Sequence, residues 1–174
     1  MRDAKEFYFI RHGQTDHHYD DPHISLNKNG IRQAYDAKNL VSALHLGAVC
    51  HSPLTRAVET KNILFEHSYL SQYELDDLEE CTASVWQTMT DGANFTCPDA
   101  KNFIQQTVKG INSALSKPGP VLVVAHGGIH YAFCKHHKIQ NHSWMLDNCA
   151  LIRFNLAGNQ WSATALGHKT NATN

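Results

Sequence analysis

A chain of 174 residues, 42% apolar and 18% charged with a net charge of −1, is long enough for one domain (1–174) with a sizeable core. The near-neutral balance sets up no basic field to draw in nucleic acid or an anionic membrane, and no apolar run reaches the roughly 18–20 residues that span a bilayer. The opening MRDAKEFYFIRHG carries acidic residues and no separate apolar core or cleavage site, so no secretory signal is expected there. Five widely spaced cysteines without a CxxC pair are expected to be reduced, mostly buried thiols of a cytoplasmic protein.

Phe7–Ile10 is a nearly continuous apolar run and predicts a strand covered on both faces. Residues 14–27 are polar, contain Asp20-Asp21-Pro22, and predict a loop. From Asn29 to Leu46 apolar residues recur at helical spacing (Ile31, Ala34, Tyr35, Ala37, Leu40, Val41, Leu44), and Gly47 is expected to close that helix. Ala48–Cys50 predicts a short strand. Ser52 and Pro53 then predict a helix start, as cap and first helical residue, with the helix running to Leu64. Residues 70–98 have no clear period beyond a short strand near Tyr73–Leu75.

Asp99–Leu115 predicts an amphipathic helix, 117–120 a turn, Val121–Ala125 a buried strand, and Gly127–His137 a further helix. Ala150–Asn155 and Trp161–Leu166 predict a hairpin turning at Gly158-Asn159, with a loose tail over 167–174. Strands alternating with helices predict an α/β three-layer sandwich: a mostly parallel central sheet, helices on both faces, and a C-terminal hairpin.

Two apolar runs end in the same pair of residues, EFYFIRHG at 6–13 and PVLVVAHG at 120–127. Ligands of open α/β sheets sit beyond the carboxyl ends of the strands, so two strand ends are expected to bring His12 and His126 to one site. Arg11 sets a permanent cation beside His12, and Gly13 lets a ligand approach the backbone. Arg56 falls in the first turn of a helix and Gly127 opens another, where free N–H groups favour an anion. Together these residues suit a phosphoryl group, with one histidine as nucleophile. Singly, each has a plainer reading: Arg56 as a surface helix charge, His126 as a core histidine, Glu79 and Glu80 as a solvated acidic turn. Histidine is abundant, with 13 copies, but His17-His18 and His136-His137 are adjacent residues pointing different ways, so structural or solvated roles are expected and no metal site.

RHGQT at 11–15, SPLTRAVET at 52–60, LEECTASVW at 78–86 and VVAHGG at 123–128, in that order, resemble the histidine phosphatase superfamily, the group of cofactor-dependent phosphoglycerate mutases and many phosphomonoesterases. The resemblance implies that His12 forms a phosphohistidine, that Arg11, Arg56 and His126 hold the phosphoryl oxygens, and that Gly13, Thr15 and Gly127 lie against the substrate. It places the general acid in a Leu-x-Glu segment six residues before a tryptophan, which selects Glu80 over Glu79 through Leu78 and Trp86. No cofactor is implied. Ser84 and Gln87 stand where the family often has glycine and glutamate, and Asp16-His17-His18 departs from its common tryptophan–asparagine ending.

Mutases of the family enclose substrate with a long insertion between the acid and the second histidine, and continue after the acid with arginine and tyrosine. Here 45 residues separate Glu80 from His126, most of them claimed by a helix and a strand, and Cys81-Thr82 follow the acid. The expected activity is therefore metal-independent hydrolysis of a phosphorylated small molecule. The alternatives are a phosphohistidine-protein phosphatase acting on a phosphoprotein, a mutase-type phosphotransferase, and a catalytically silent phosphate-binding protein.

Overall fold

The computed structural model describes residues 5–16, 20–92 and 94–167; His17, His18 and the tail from 168 lie outside the described residues. Six strands form one sheet: β1 (Lys5–Arg11), β2 (Ala48–His51), β3 (Ser71–Glu74), β4 (Val121–Ala125), β5 (Leu151–Ala157) and β6 (Gln160–Leu166), in the order β3-β2-β4-β1-β5-β6. β3, β2, β4 and β1 run parallel, and the β5–β6 hairpin joins antiparallel to β1. The α/β class and the mostly parallel sheet agree with expectation.

The apolar runs of β1, β2 and β4 follow from burial on both sides. Phe7, Phe9, Ala48, Cys50, Val121, Val123 and Ala125 face one core, shared with Phe103, Ile111, Ile129 and Phe133. These come from α4 (Pro98–Leu115) and α5 (Gly127–His136). The alternate residues Ile10, Val49, Leu122 and Val124 face a second core, closed by Ala37, Val41 and Leu64. These last belong to α1 (Lys28–Ser42) and α2 (Thr55–Leu64). A strand period of two thus divides the helices between the faces, giving three layers. Each fully buried Leu, Ile or Phe contributes about 1.5–3 kcal/mol.

Four local expectations are corrected. α1 ends at Ser42, five residues before Gly47. A Cβ at Gly47 would lie 2.5 Å from the Pro118 carbonyl, and its N–H donates to Pro120 O at 2.8 Å. The glycine therefore serves a close backbone crossing instead of closing a helix. α2 begins at Thr55, capped by Leu54 without a side-chain bond; Ser52 lies two residues before that cap, its hydroxyl accepting from Leu54 N at 3.2 Å and lying 2.7 Å from His126 Nε2. The 70–98 stretch holds more structure than its pattern shows: β3, a 3₁₀ turn over Asp76–Leu78, and α3 (Ala83–Thr90), capped by the Thr82 hydroxyl. β3 itself covers Ser71–Glu74, not Tyr73–Leu75.

Candidate active site

Three adjacent parallel strands end side by side. Arg11 pairs with Ala125 in register, and His51 with Val124. The next residues continue the ladder for one step: His12 N–H donates to Ala125 O at 2.9 Å, and Ser52 N–H to Val124 O at 3.1 Å. β1, β4 and β2 therefore deliver His12, His126 and Ser52 to neighbouring points. The rings of His12 and His126 have centroids 5.1 Å apart, inclined at 59°.

His12 is 6% exposed, and its Nδ1 lies 2.7 Å from the carbonyl oxygen of Gly13. A carbonyl only accepts, so Nδ1 carries the proton and Nε2 keeps its lone pair. Burial, with smaller contributions from Arg56 and Arg11, lowers the His12 pKa to about 3 against the opposing Gly13 bond, so the ring is neutral at physiological pH. Its backbone is fixed from two sides: Asn148 Nδ2 donates to His12 O at 2.8 Å, and Gly13 N–H donates to Thr60 Oγ1 at 3.0 Å. Thr60 in turn donates to Arg56 O at 2.8 Å, which ties the loop to α2. A Cβ on Gly13 would lie 2.4 Å from Gly30 O, so this glycine lets α1 pack against the histidine loop.

His126 is fully buried, with Nε2 2.7 Å from Ser52 Oγ and Nδ1 without a partner among the described residues. Burial, and then His12, Arg56 and Arg11, hold its pKa well below the ordinary value. Arg11 donates through Nη1 to Leu146 O at 2.5 Å, while its buried Nε has no partner among the described residues. Arg56, 4% exposed, donates to the Asp21 carbonyl at 3.2 Å. Two cations and two neutral imidazoles thus converge with donor capacity to spare. Such an arrangement suits an anion with several oxygens.

The Glu80 side is built differently. Leu78, fully buried, anchors the 3₁₀ turn onto α4, where Gly110 leaves room for the Asp77 backbone. Lys109 pairs with Asp77 at 2.9 Å, and Gln106 donates to Glu79 O at 3.2 Å. Glu79 is exposed; the next residue turns inward. Glu80 Oε2 accepts from Gly128 N at 3.0 Å, at the start of α5, and Oε1 accepts from Cys81 N at 3.0 Å. Burial raises the Glu80 pKa despite these bonds and the opposing pull of Arg56. A cavity of about 260 Å³ is lined by Arg56, Glu80, Cys81, Asp20, Asp21, Pro22, Leu54, Glu79 and Thr82.

Arg11, His12, Arg56, Glu80 and His126 are thus brought to one end of the sheet. Gly127 packs against Arg11, whose Cζ would stand 3.4 Å from an added Cβ. Thr15 makes a backbone bridge with Leu26. Sequence reasoning passed over Ser52, Thr60, Asn148 and Gly128 as parts of this site. Ser52 carries a signal that reads equally as a helix cap, and the others carry none. Among the described residues no group of three or more His, Cys, Asp or Glu side chains is placed to hold a metal ion. His136 and His137 meet edge to face at the end of α5, and His137 also packs on Phe133 and Trp161.

A sequence model of the histidine phosphatase superfamily (branch 1) matches residues 7–169. The phosphoglycerate mutase of Bacillus anthracis superposes with a TM-score of 0.74 at 18% identity, covering 94% of this chain and 93% of that one. The alpha-ribazole phosphatase of Shigella flexneri gives 0.71 at 18% identity, covering 94% and 96%. At such identity these likenesses speak for the fold. The agropine synthesis reductase of Rhizobium rhizogenes is 31% identical over 148 residues, 72% of this chain and 34% of that protein, so the chain spans about a third of the length of this curated relative. The chain belongs to the histidine phosphatase superfamily.

Proposed function

We propose that the chain is a metal-independent phosphomonoesterase that works through a phosphohistidine on His12. The observation that carries this reading is the unspent capacity at the strand ends: a neutral His12 with a free Nε2 lone pair, beside buried Arg11 Nε and His126 Nδ1 that have no partners among the described residues. Ser52 Oγ already accepts from Leu54 N at 3.2 Å; directing its own proton to His126 Nε2 leaves His126 with a donor at Nδ1. His12 Nε2 attacks phosphorus, the ester P–O bond breaks, and the Glu80 carboxyl proton passes to the leaving alkoxide. The carboxylate then takes a proton from water, the water oxygen attacks phosphorus, and the P–N bond breaks to release inorganic phosphate. Throughout, His12 Nδ1 keeps its proton and donates it in a hydrogen bond to the Gly13 carbonyl oxygen. Arg11, Arg56 and His126 stabilise the charge on the oxygens in flight.

Hydrolysis is favoured over mutase chemistry by two features. The connection from Glu80 to His126 is occupied by α3, α4 and β4, and only 91–97 joins α3 to α4, so little chain remains to enclose substrate. The cavity beyond Arg56 adds Asp20, Asp21 and Glu79, which disfavour an acidic leaving group such as glycerate. A phosphate monoester of an uncharged alcohol is the expected substrate class. The inward Glu80 also favours esters over protein phosphohistidine, whose leaving group needs less protonation. The reductase activity in the relative's name belongs to a longer protein and is not carried over. The test is hydrolysis of p-nitrophenyl phosphate in EDTA by wild type and His12→Ala, with acid-labile phosphate on the protein measured in a quenched reaction. Metal-independent turnover and label, both lost in His12→Ala, are expected; turnover that survives the substitution would overturn the reading.

A further inference from the structure

We propose that Cys81 is a positioning residue for the acid, its thiol holding Oε1 of Glu80 while the helix N-terminus holds Oε2. The inference rests on the reading of Glu80 as general acid. Cys81 Sγ lies 3.5 Å from Glu80 Oε1, the oxygen that also accepts the Cys81 backbone N–H, while Oε2 takes Gly128 N. The carboxylate only accepts, so the thiol donates to it. Cys81 is 9% exposed, and burial together with the Glu80 charge pushes its pKa up, which keeps the donor proton on sulfur.

The space is shared among three groups. A Cβ at Gly128 would fall 2.0 Å from Glu80 Oε1 and 2.9 Å from Cys81 Sγ. Glycine at 128 and a side chain of cysteine's size at 81 therefore belong to one arrangement. The groups that face the carboxyl are Arg56 from α2, the Gly128 N–H from α5, and Cys81; Asp20 acts on Cys81 from across the cavity. Arg56 and the two N–H groups favour the ionised form, and burial favours the protonated one. A thiol is a weaker donor than a hydroxyl, so cysteine limits how far the carboxylate is favoured. The acid keeps its proton for the leaving group while its orientation stays fixed.

The experiment compares Cys81→Ser, a stronger donor, with Cys81→Ala, which has none, in the full chain. Two readouts are taken: kcat/KM against pH for n-butyl phosphate and p-nitrophenyl phosphate, and the ¹³C carboxyl titration of Glu80, assigned by its loss in Glu80→Gln. The protonated acid is needed for the alkyl ester, so its alkaline limb follows the Glu80 pKa. Loss of the donor moves limb and titration upward by about half a pH unit to one unit, and the hydroxyl moves them downward. Shifts of opposite sign in the two variants support the proposal. Unchanged titrations, or shifts of the same sign, overturn it, since a packing disturbance does not reverse with donor strength. Thermal melting checks folding, and Cys81→Val supplies a second donorless variant should Cys81→Ala unfold. Opposite NMR shifts beside an alkyl activity that Glu80→Gln leaves intact would instead remove the acid role of Glu80, and with it the catalytic meaning of the contact.

Discussion

The two halves of the site are held by different means. The His12–His126 floor grows directly out of β1, β4 and β2, and its backbone bonds continue the sheet ladder. The Glu80 side stands on a 3₁₀ turn and a two-turn helix that lean on α4, and its carboxyl reaches the floor through one N–H of α5. A phosphoryl group has the same oxygens in every ester, so its receptor can be rigid; leaving groups differ, and the part that meets them stands off the sheet. The floor should accordingly govern all substrates alike, and the acid side should discriminate among them.

The sharpest challenge to this division is Arg56→Ala, expected to lower kcat/KM by about 10³ for alkyl and aryl phosphates alike, since a donor to the transferring group is lost for both. A strong dependence of that loss on the leaving group would place Arg56 on the acid side instead. Glu80→Gln should cost about 10² with n-butyl phosphate and far less with p-nitrophenyl phosphate, whose leaving group departs without a proton. Gly128→Ala sharpens the comparison, because the atoms nearest the new Cβ belong to Glu80 and Cys81. A loss of about tenfold confined to the alkyl ester is expected, from misplacement of the acid. Equal losses for both esters would mean that the start of α5 serves the floor as well.

Acid stability probes the floor by another route. The pKa of His12, and that of His130, a buried residue of α5 whose Nδ1 lies 3.0 Å from Trp144 O, are lowered to about 3, so each ring is neutral in the fold but takes up a proton below about 6.5 when unfolded. Their stability contribution is complete above pH 6.5 and is lost as pH falls toward 3, at up to about 1.4 kcal/mol per pH unit for each. Thermal melting between pH 7 and pH 4 should therefore be steeper for wild type than for His12→Ala; parallel curves would show that His12 is not held neutral. The smallest effect is expected from Asn148→Ala, which removes one bond to the His12 carbonyl, about 1 kcal/mol of stability, with a several-fold loss of turnover on both esters.

Much of this arrangement is legible in the chain itself. Val121–Ala125 and Phe7–Ile10 are apolar enough to demand burial on both faces, and α1 and α4 show their period over at least four turns. α3 does not, because eight residues cover barely two turns and only Met89 among them is buried. At Ser52 two readings compete. A serine before proline signals a helix cap, yet its hydroxyl lies 2.7 Å from a histidine 74 residues away.

Sequence alone therefore determined the order of the strands and of every α-helix but α3, the strand ends that carry histidine, and the motif order that marks the family. These rest on periodicity and turn chemistry, which act between residues a few positions apart. The motif spacing singled out Glu80; only the tertiary structure decided how its carboxyl is held, what Ser52 and Asn148 bind, and why residues 13, 47, 110 and 128 are glycine. Those answers depend on which backbone crosses which at about 3 Å. Such distances arise from the packing of α1, α4 and α5 against the sheet, and no local pattern of residues encodes them.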